Sequence, residues 1–257
     1  MTLLNTKIEE RIATVTINRP PANALSSSVL KELSAVLDDL EHEEEVRVIV
    51  INGEGRFFSA GADIKEFTTV STGEEFSKLS TYGQELFERI ENFSKPIIAS
   101  IHGAALGGGL ELAMGCHFRI VSENAKLGLP ELQLGLIPGF AGTARLPKYV
   151  GVAKAAEMLW TSEPITGAEA VKVGLANHAF PEESLLEETY KIARKIALKS
   201  PVSIRATIEL LNITKTEQYR AAVNKEAELF GSVFTSEDGQ EGIKAFIDKR
   251  QPQFSGK

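Results

Sequence analysis

The chain has 257 residues, 43% hydrophobic and 25% charged, enough apolar material for one large domain or a core with a smaller appendage. Its net charge of −7 disfavours a protein whose main task is gripping nucleic-acid phosphates, while leaving room for a local basic patch that receives an anionic ligand. A single cysteine, Cys116, excludes an intramolecular disulfide framework. Together with a charged start unlike a signal or transit peptide and no apolar run near the roughly 20 residues a bilayer needs, it predicts a soluble, cytoplasmic protein.

In chain order, residues 8–17 alternate as a strand does, and Asn18–Pro21 breaks the run. Ser26 is a good N-cap for a helix with apolar residues at Val29, Leu33, Val36, Leu37 and Leu40. The β-branched run 46–52 predicts a buried strand, and 53–61 a glycine-punctuated loop. A helix is expected within 74–92, a buried strand over 97–101, a short helix after the glycines 107–109, and a strand over 117–122. This strand–helix rhythm points to an α/β layered core. From about Ala141 helices dominate: 142–150, 153–160, 168–173, 182–199, 202–212, 217–230 and 237–249, with a short strand at 176–180. A soft boundary near residue 200 divides a core of 1–200 from a helical region of 201–257, whose helices have no strand to cover and suit a subunit contact.

Several chemistries lack their motifs. Gly53-Glu-Gly55 follows a strand but has no third glycine of a dinucleotide fingerprint, no P-loop or GxSxG elbow occurs, and four scattered histidines with one cysteine make no zinc cluster. What remains is chemistry done by carboxylates and backbone amides. Two turns rich in small residues, 58–66 and 103–111, suit it: they allow a ligand to lie against the main chain, and the second opens a helix whose free N–H groups favour negative charge. Each alone is better explained as a tight turn or a close helix contact, and neither is decisive by itself. Glu111 and Glu131 both sit in apolar surroundings, where an acid needs a reason. A helix start or turn cap explains either singly; as a pair beside amide donors they suit proton transfer and water activation.

Taken together, NRPPANALS, FFSAGADIKEF, KPIIASIHGAALGGGLELAMGCHFRI, LGLPELQLGLIPGFAGTARLPKYVG and EDGQEGIKAFIDKR resemble the crotonase (enoyl-CoA hydratase/isomerase) superfamily over almost the whole chain. The resemblance implies an α/β fold, a crotonase-like spiral of ββα units with a C-terminal helical trimerisation region, assembled as a homotrimer or a dimer of trimers. It implies an enoyl-CoA hydratase of fatty-acid metabolism that adds water to trans-2-enoyl-CoA and gives 3-hydroxyacyl-CoA. The backbone N–H groups of Ala62 and Gly108 would hold the thioester oxygen, Glu111 would activate the water, and Glu131 would protonate the α-carbon. Coenzyme A would be part of the substrate, contacted by Ala60, Ala62, Lys65, Phe230 and Lys249, with no metal or separate cofactor, no nucleic acid and no membrane as partner. An isomerase or another acyl-CoA enzyme of the superfamily is the alternative, with a non-catalytic CoA- or RNA-binding member behind it. Phe140 interrupts a run of small residues, and Ala104 stands where bulkier residues are common, so either could reshape the acyl pocket. His102 and His117 are read as strand-end hydrogen bonders, Cys116 as a small hydrophobe, Asp63 as loop support and Trp160 as core.

Overall fold

A computed structural model of the chain describes residues 2–63, 66, 73–216 and 236–257. It begins with β1 (Leu4–Glu9) and β2 (Ile12–Ile17), paired antiparallel with Glu9 opposite Ile12. The sequence alternation suggests a strand over 8–17; the chain instead reverses at Glu10 and Arg11, with φ of 51° and 66°. Two successive left-handed residues make a tight hairpin turn, for which asparagine and glycine are the usual signals. Neither is present here, so the reversal left no mark in the residue types.

The next element, α1 (Ser27–His42), starts as predicted: the Val29 N–H donates to Ser26 Oγ at 3.3 Å. Such a cap contributes roughly 1 kcal/mol. Val29, Leu30, Leu33, Leu37 and Leu40 form the buried stripe. Spacing of three and four places them on one face, and Leu33→Ala would cost about 2–5 kcal/mol through lost burial and the cavity left behind.

There follow β3 (Val48–Gly53), α2 (Gly73–Glu91), β4 (Ile97–Ile101), β5 (Ala104–Leu106), α3 (Gly108–Gly115), β6 (Phe118–Ser122) and β7 (Lys126–Gly128). After a single 3-10 turn at Glu131–Leu134 come α4 (Gly142–Thr161), β8 (Ile165–Thr166), α5 (Gly167–Lys172), β9 (His178–Phe180), α6 (Glu182–Ala197), α7 (Pro201–Thr216) and α8 (Glu237–Ile247). The main sheet runs in the order β1-β2-β3-β4-β6-β9, parallel from β2 onward. Its side chains alternate between two cores, as the strand period of two requires. Ile49, Ile51, Ile97, Ala99 and Ile101 join the larger core with α1, α2 and α3, whereas Val48, Val50, Ile98 and Ile120 pack with Leu185, Ala193 and Ala197 of α6. Burial on both faces is why these strands read as near-continuous apolar runs.

A second, small sheet pairs β5 with β7 in parallel and β7 with β8 antiparallel. These strands span only two or three residues each, too few for alternation to register in the sequence. Trp160, expected in the core, is 76% exposed. Ala155 and Met158 of the same helix are buried, and at 100° per residue Trp160 falls on the opposite face. Within α4 the backbone breaks at Gly151 (φ 75°), matching the two helical segments expected there. Residues after 200 are tied to the rest: Ser200 Oγ bonds Asp238 Oδ2 at 2.8 Å, and Asn212 Nδ2 donates to Glu91 O at 2.7 Å. The helix expected over 217–230 lies outside the described residues. Among the described residues no helix is long and apolar enough to cross a membrane.

Candidate active site

Backbone hydrogen bonds join the two small-residue turns. The Ser59 N–H donates to Ala104 O at 3.1 Å and the Leu106 N–H to Ser59 O at 3.0 Å, binding the loop after β3 to β5 just ahead of α3. A methyl group added to Gly108 would stand 3.2 Å from the Ala62 nitrogen, and one on Gly61 3.4 Å from the Gly108 nitrogen. The turns therefore lie in near contact: a methyl on Gly108 would press on its neighbours, and one on Gly61 (φ 105°) would stand 2.9 Å from the Leu106 carbonyl oxygen. Among the described residues neither the Ala62 nor the Gly108 N–H donates to a protein acceptor. Gly108 opens α3, so its amide also lies at the positive end of the helix. Two adjacent unengaged donors are what a developing oxyanion requires.

Glu111 lies in the first turn of α3, whose eight residues are all buried, and is itself 1% exposed. Its Oε1 accepts the Phe140 N–H at 2.8 Å and the Gly142 N–H at 2.7 Å. Both donors face it because the intervening Ala141 adopts the left-handed conformation, φ 69°. Burial and the neighbouring negative charge of Glu131 push the Glu111 carboxyl up to about 7, against the lowering pull of the Gly142 and Phe140 amides and the Arg145 guanidinium.

Glu131 arrives by another route. Leu106 is opposite Gly128 in the β5–β7 pair, and the Gly107 N–H donates to Gly128 O at 2.9 Å. Three residues on, Glu131 comes alongside the glycines: a methyl on Gly107 would be 3.0 Å from Glu131 Oε1. Glu131 Oε2 is buried without a hydrogen-bond partner among the described residues, and burial raises its carboxyl above the usual range. A cavity of about 470 Å³ is lined by Ala60–Ala62, Gly107, Gly108, Glu111 and Glu131 together with the apolar Leu79, Leu134, Ile137 and Phe140. Phe140 fills the space left by Gly83 of α2, where a methyl would lie 2.3 Å from its ring, and it stands edge-on to Phe87 with centroids 5.4 Å apart.

The sequence profile described as enoyl-CoA hydratase/isomerase matches residues 7–257. The chain belongs to the enoyl-CoA hydratase/isomerase family. Its relatives include a probable enoyl-CoA hydratase of Bacillus subtilis (strain 168), 55% identical over the whole of both chains. A short-chain-enoyl-CoA hydratase of Clostridium acetobutylicum is 40% identical over 95% of this chain and 94% of its own. Among solved structures, an enoyl-CoA hydratase from Bacillus anthracis superposes with a TM-score of 0.95 at 34% identity, covering both chains completely. The fold is thus the crotonase-like α/β fold.

Of the residues that the family pattern picks out, the structure brings Ala60, Ala62, Gly108, Glu111 and Glu131 to one cavity. Lys65 and Phe230 lie outside the described residues. Lys249 is exposed just beyond α8 and does not line the cavity. His102 Nε2 meets Gly55 O at 2.8 Å and His117 Nδ1 accepts the Ile97 N–H at 3.0 Å, ordinary strand-end bonds. Asp63 pairs with Arg19, which holds the first turn from outside. Burial pushes the Cys116 thiol up to about 12, so it is no nucleophile. Sequence reading missed the Phe140 and Gly142 amides and Arg145. Backbone donors carry no residue signature, and Arg145 lies inside a quoted stretch without any feature that sets it apart.

Proposed function

We propose that this family member is an enoyl-CoA hydratase, adding water across a trans-2-enoyl-CoA double bond to give 3-hydroxyacyl-CoA. One observation carries the reading: two carboxyls with raised pKa values and two unengaged amides line the same cavity. In this scheme the Ala62 and Gly108 amides hold the thioester oxygen and stabilise the enolate-like charge that develops as the β-carbon is attacked. Glu111, near its midpoint at neutral pH, deprotonates the water. Glu131, whose Oε2 makes no other bond among the described residues, delivers the proton to the α-carbon. Coenzyme A enters as part of the substrate, and no step calls for a metal or redox cofactor. Ala60 and Ala62 carbonyls contact it in this reading, as do Lys65, Phe230 and Lys249. A homotrimer or dimer of trimers in the cytoplasm is the assembly we propose, on the family resemblance. The hydratase names of the Bacillus subtilis and Clostridium acetobutylicum relatives support the activity.

Incubation with crotonyl-CoA, following loss of the enoyl absorbance, tests this. Turnover in the wild type with a loss of about 10²-fold or more in Glu111→Gln is expected. No turnover there, but conversion of a 3-enoyl-CoA, would make the protein an isomerase.

A further inference from the structure

The base of the site is held from behind. Arg145 lies in the first turn of α4 and is 6% exposed. Its Nη1 donates to Phe140 O at 2.9 Å, and its Nε pairs with Glu91 Oε2, at the end of α2, at 3.3 Å. Phe140 is also the residue whose N–H reaches Glu111 Oε1 at 2.8 Å. The guanidinium thus grips the carbonyl of the residue whose amide grips the carboxylate. Asn212 of α7 donates to the Glu91 carbonyl at 2.7 Å and extends the chain of contacts outward.

We propose that Arg145 is a positioning residue for hydration, holding the 140–142 segment so that both amides stay aimed at Glu111 and keeping a cation, anchored by Glu91, behind that carboxylate. This rests on the role given to Glu111 above. Among the described residues, the charged groups around Glu111 are Glu131 from the turn after β7, Arg145 from α4 and, behind Arg145, Glu91 from α2. Their signs separate electrostatic positioning from simple reinforcement. Removing the cation disfavours the Glu111 carboxylate, so activity is lost at a higher pH on the acid side. Neutralising Glu91 leaves the cation uncompensated and moves that limb the other way. Arg145 as mere scaffolding gives the two variants the same instability and no opposed shifts.

The test measures pH profiles of crotonyl-CoA hydration at saturating substrate, with thermal melts, for Arg145→Gln, Arg145→Lys and Glu91→Gln. Arg145→Gln is expected to lose about 10–100-fold in kcat with KM little changed, as for an interaction realised in the transition state. Its acid limb moves up by about half a pH unit or more. Glu91→Gln moves the limb down. Arg145→Lys keeps the limb near the wild-type position but recovers only part of kcat, because an ammonium lacks the fork that spans both acceptors. Limbs that shift in the same direction, or stay fixed while only melting temperatures fall, overturn the proposal. If Arg145→Gln does not fold, the downward shift in Glu91→Gln decides alone. If the wild type does not hydrate crotonyl-CoA, it is the hydratase reading that fails. Arg145 is then tested on the infrared band of the protonated Glu111 carboxyl, assigned by its loss in Glu111→Gln, with the same opposed signs expected.

Discussion

Replacing Glu111 by glutamine is expected to make the protein slower and more stable at once. The amide keeps an oxygen for the Phe140 and Gly142 N–H groups, now at 2.8 and 2.7 Å, so the segment they belong to has no reason to move. What disappears is an ionisable group that is almost fully buried, its pKa raised from 4.5 to about 7. Between those values the folded state binds a proton that the unfolded chain releases, so stability falls as pH rises through the window. The penalty is complete above pH 7 and absent below the unfolded value. Two and a half pH units at 1.36 kcal/mol each give about 3 kcal/mol, an order-of-magnitude figure. For a chain of this size that corresponds to about 6–12 °C in Tm. Thermal melts of both proteins from pH 4.5 to 9 should therefore nearly coincide at the acid end and separate towards neutrality, with the variant higher. A pH-independent gap, or a variant that melts lower at pH 8, would refute the claim that the buried charge is held against its own solvation.

Three further outcomes are expected. Glu131→Gln should reduce crotonyl-CoA turnover by about 10²-fold or more, with little change in the binding of a saturated acyl-CoA measured by calorimetry. Gly83→Ala would place a methyl 2.3 Å from the Phe140 ring; displacing that ring should cost about 1–3 kcal/mol in denaturant unfolding and change the ranking of enoyl-CoA chain lengths. Cys116, buried and with its thiol pushed up to about 12, should resist iodoacetamide at pH 8 until denaturant is added, as followed by mass spectrometry.

What the sequence disclosed followed the length and regularity of each element. The α1 stripe and the apolar runs of β3 and β4 repeat long enough for their period to emerge, and Ser26 marks a helix start with its own chemistry. The hairpin at Glu10–Arg11 does not, because its left-handed residues are neither asparagine nor glycine. Nor do the three strands of the small sheet, because each is only two or three residues long and is defined by pairing with segments elsewhere in the chain. The same division runs through the site. Glu111 and Glu131 stood out as acids in apolar stretches, yet the donors to Glu111 come from residues 29 and 31 positions away. Trp160 shows the limit of reasoning from residue type: large apolar side chains are often outside, and only the phase of the helix decides.

The eight buried residues of α3 carry both Gly108 and Glu111. Three helical steps separate them, a rise of roughly 4.5 Å along the axis. One amide donor and one acid therefore share a single rod, and any shift of that rod carries them together. Ala62 and Glu131 hang instead from turns on either side. The helix itself fixes the spacing of Gly108 and Glu111, whereas the placement of Ala62 and Glu131 relative to them depends on how the two turns pack against that rod.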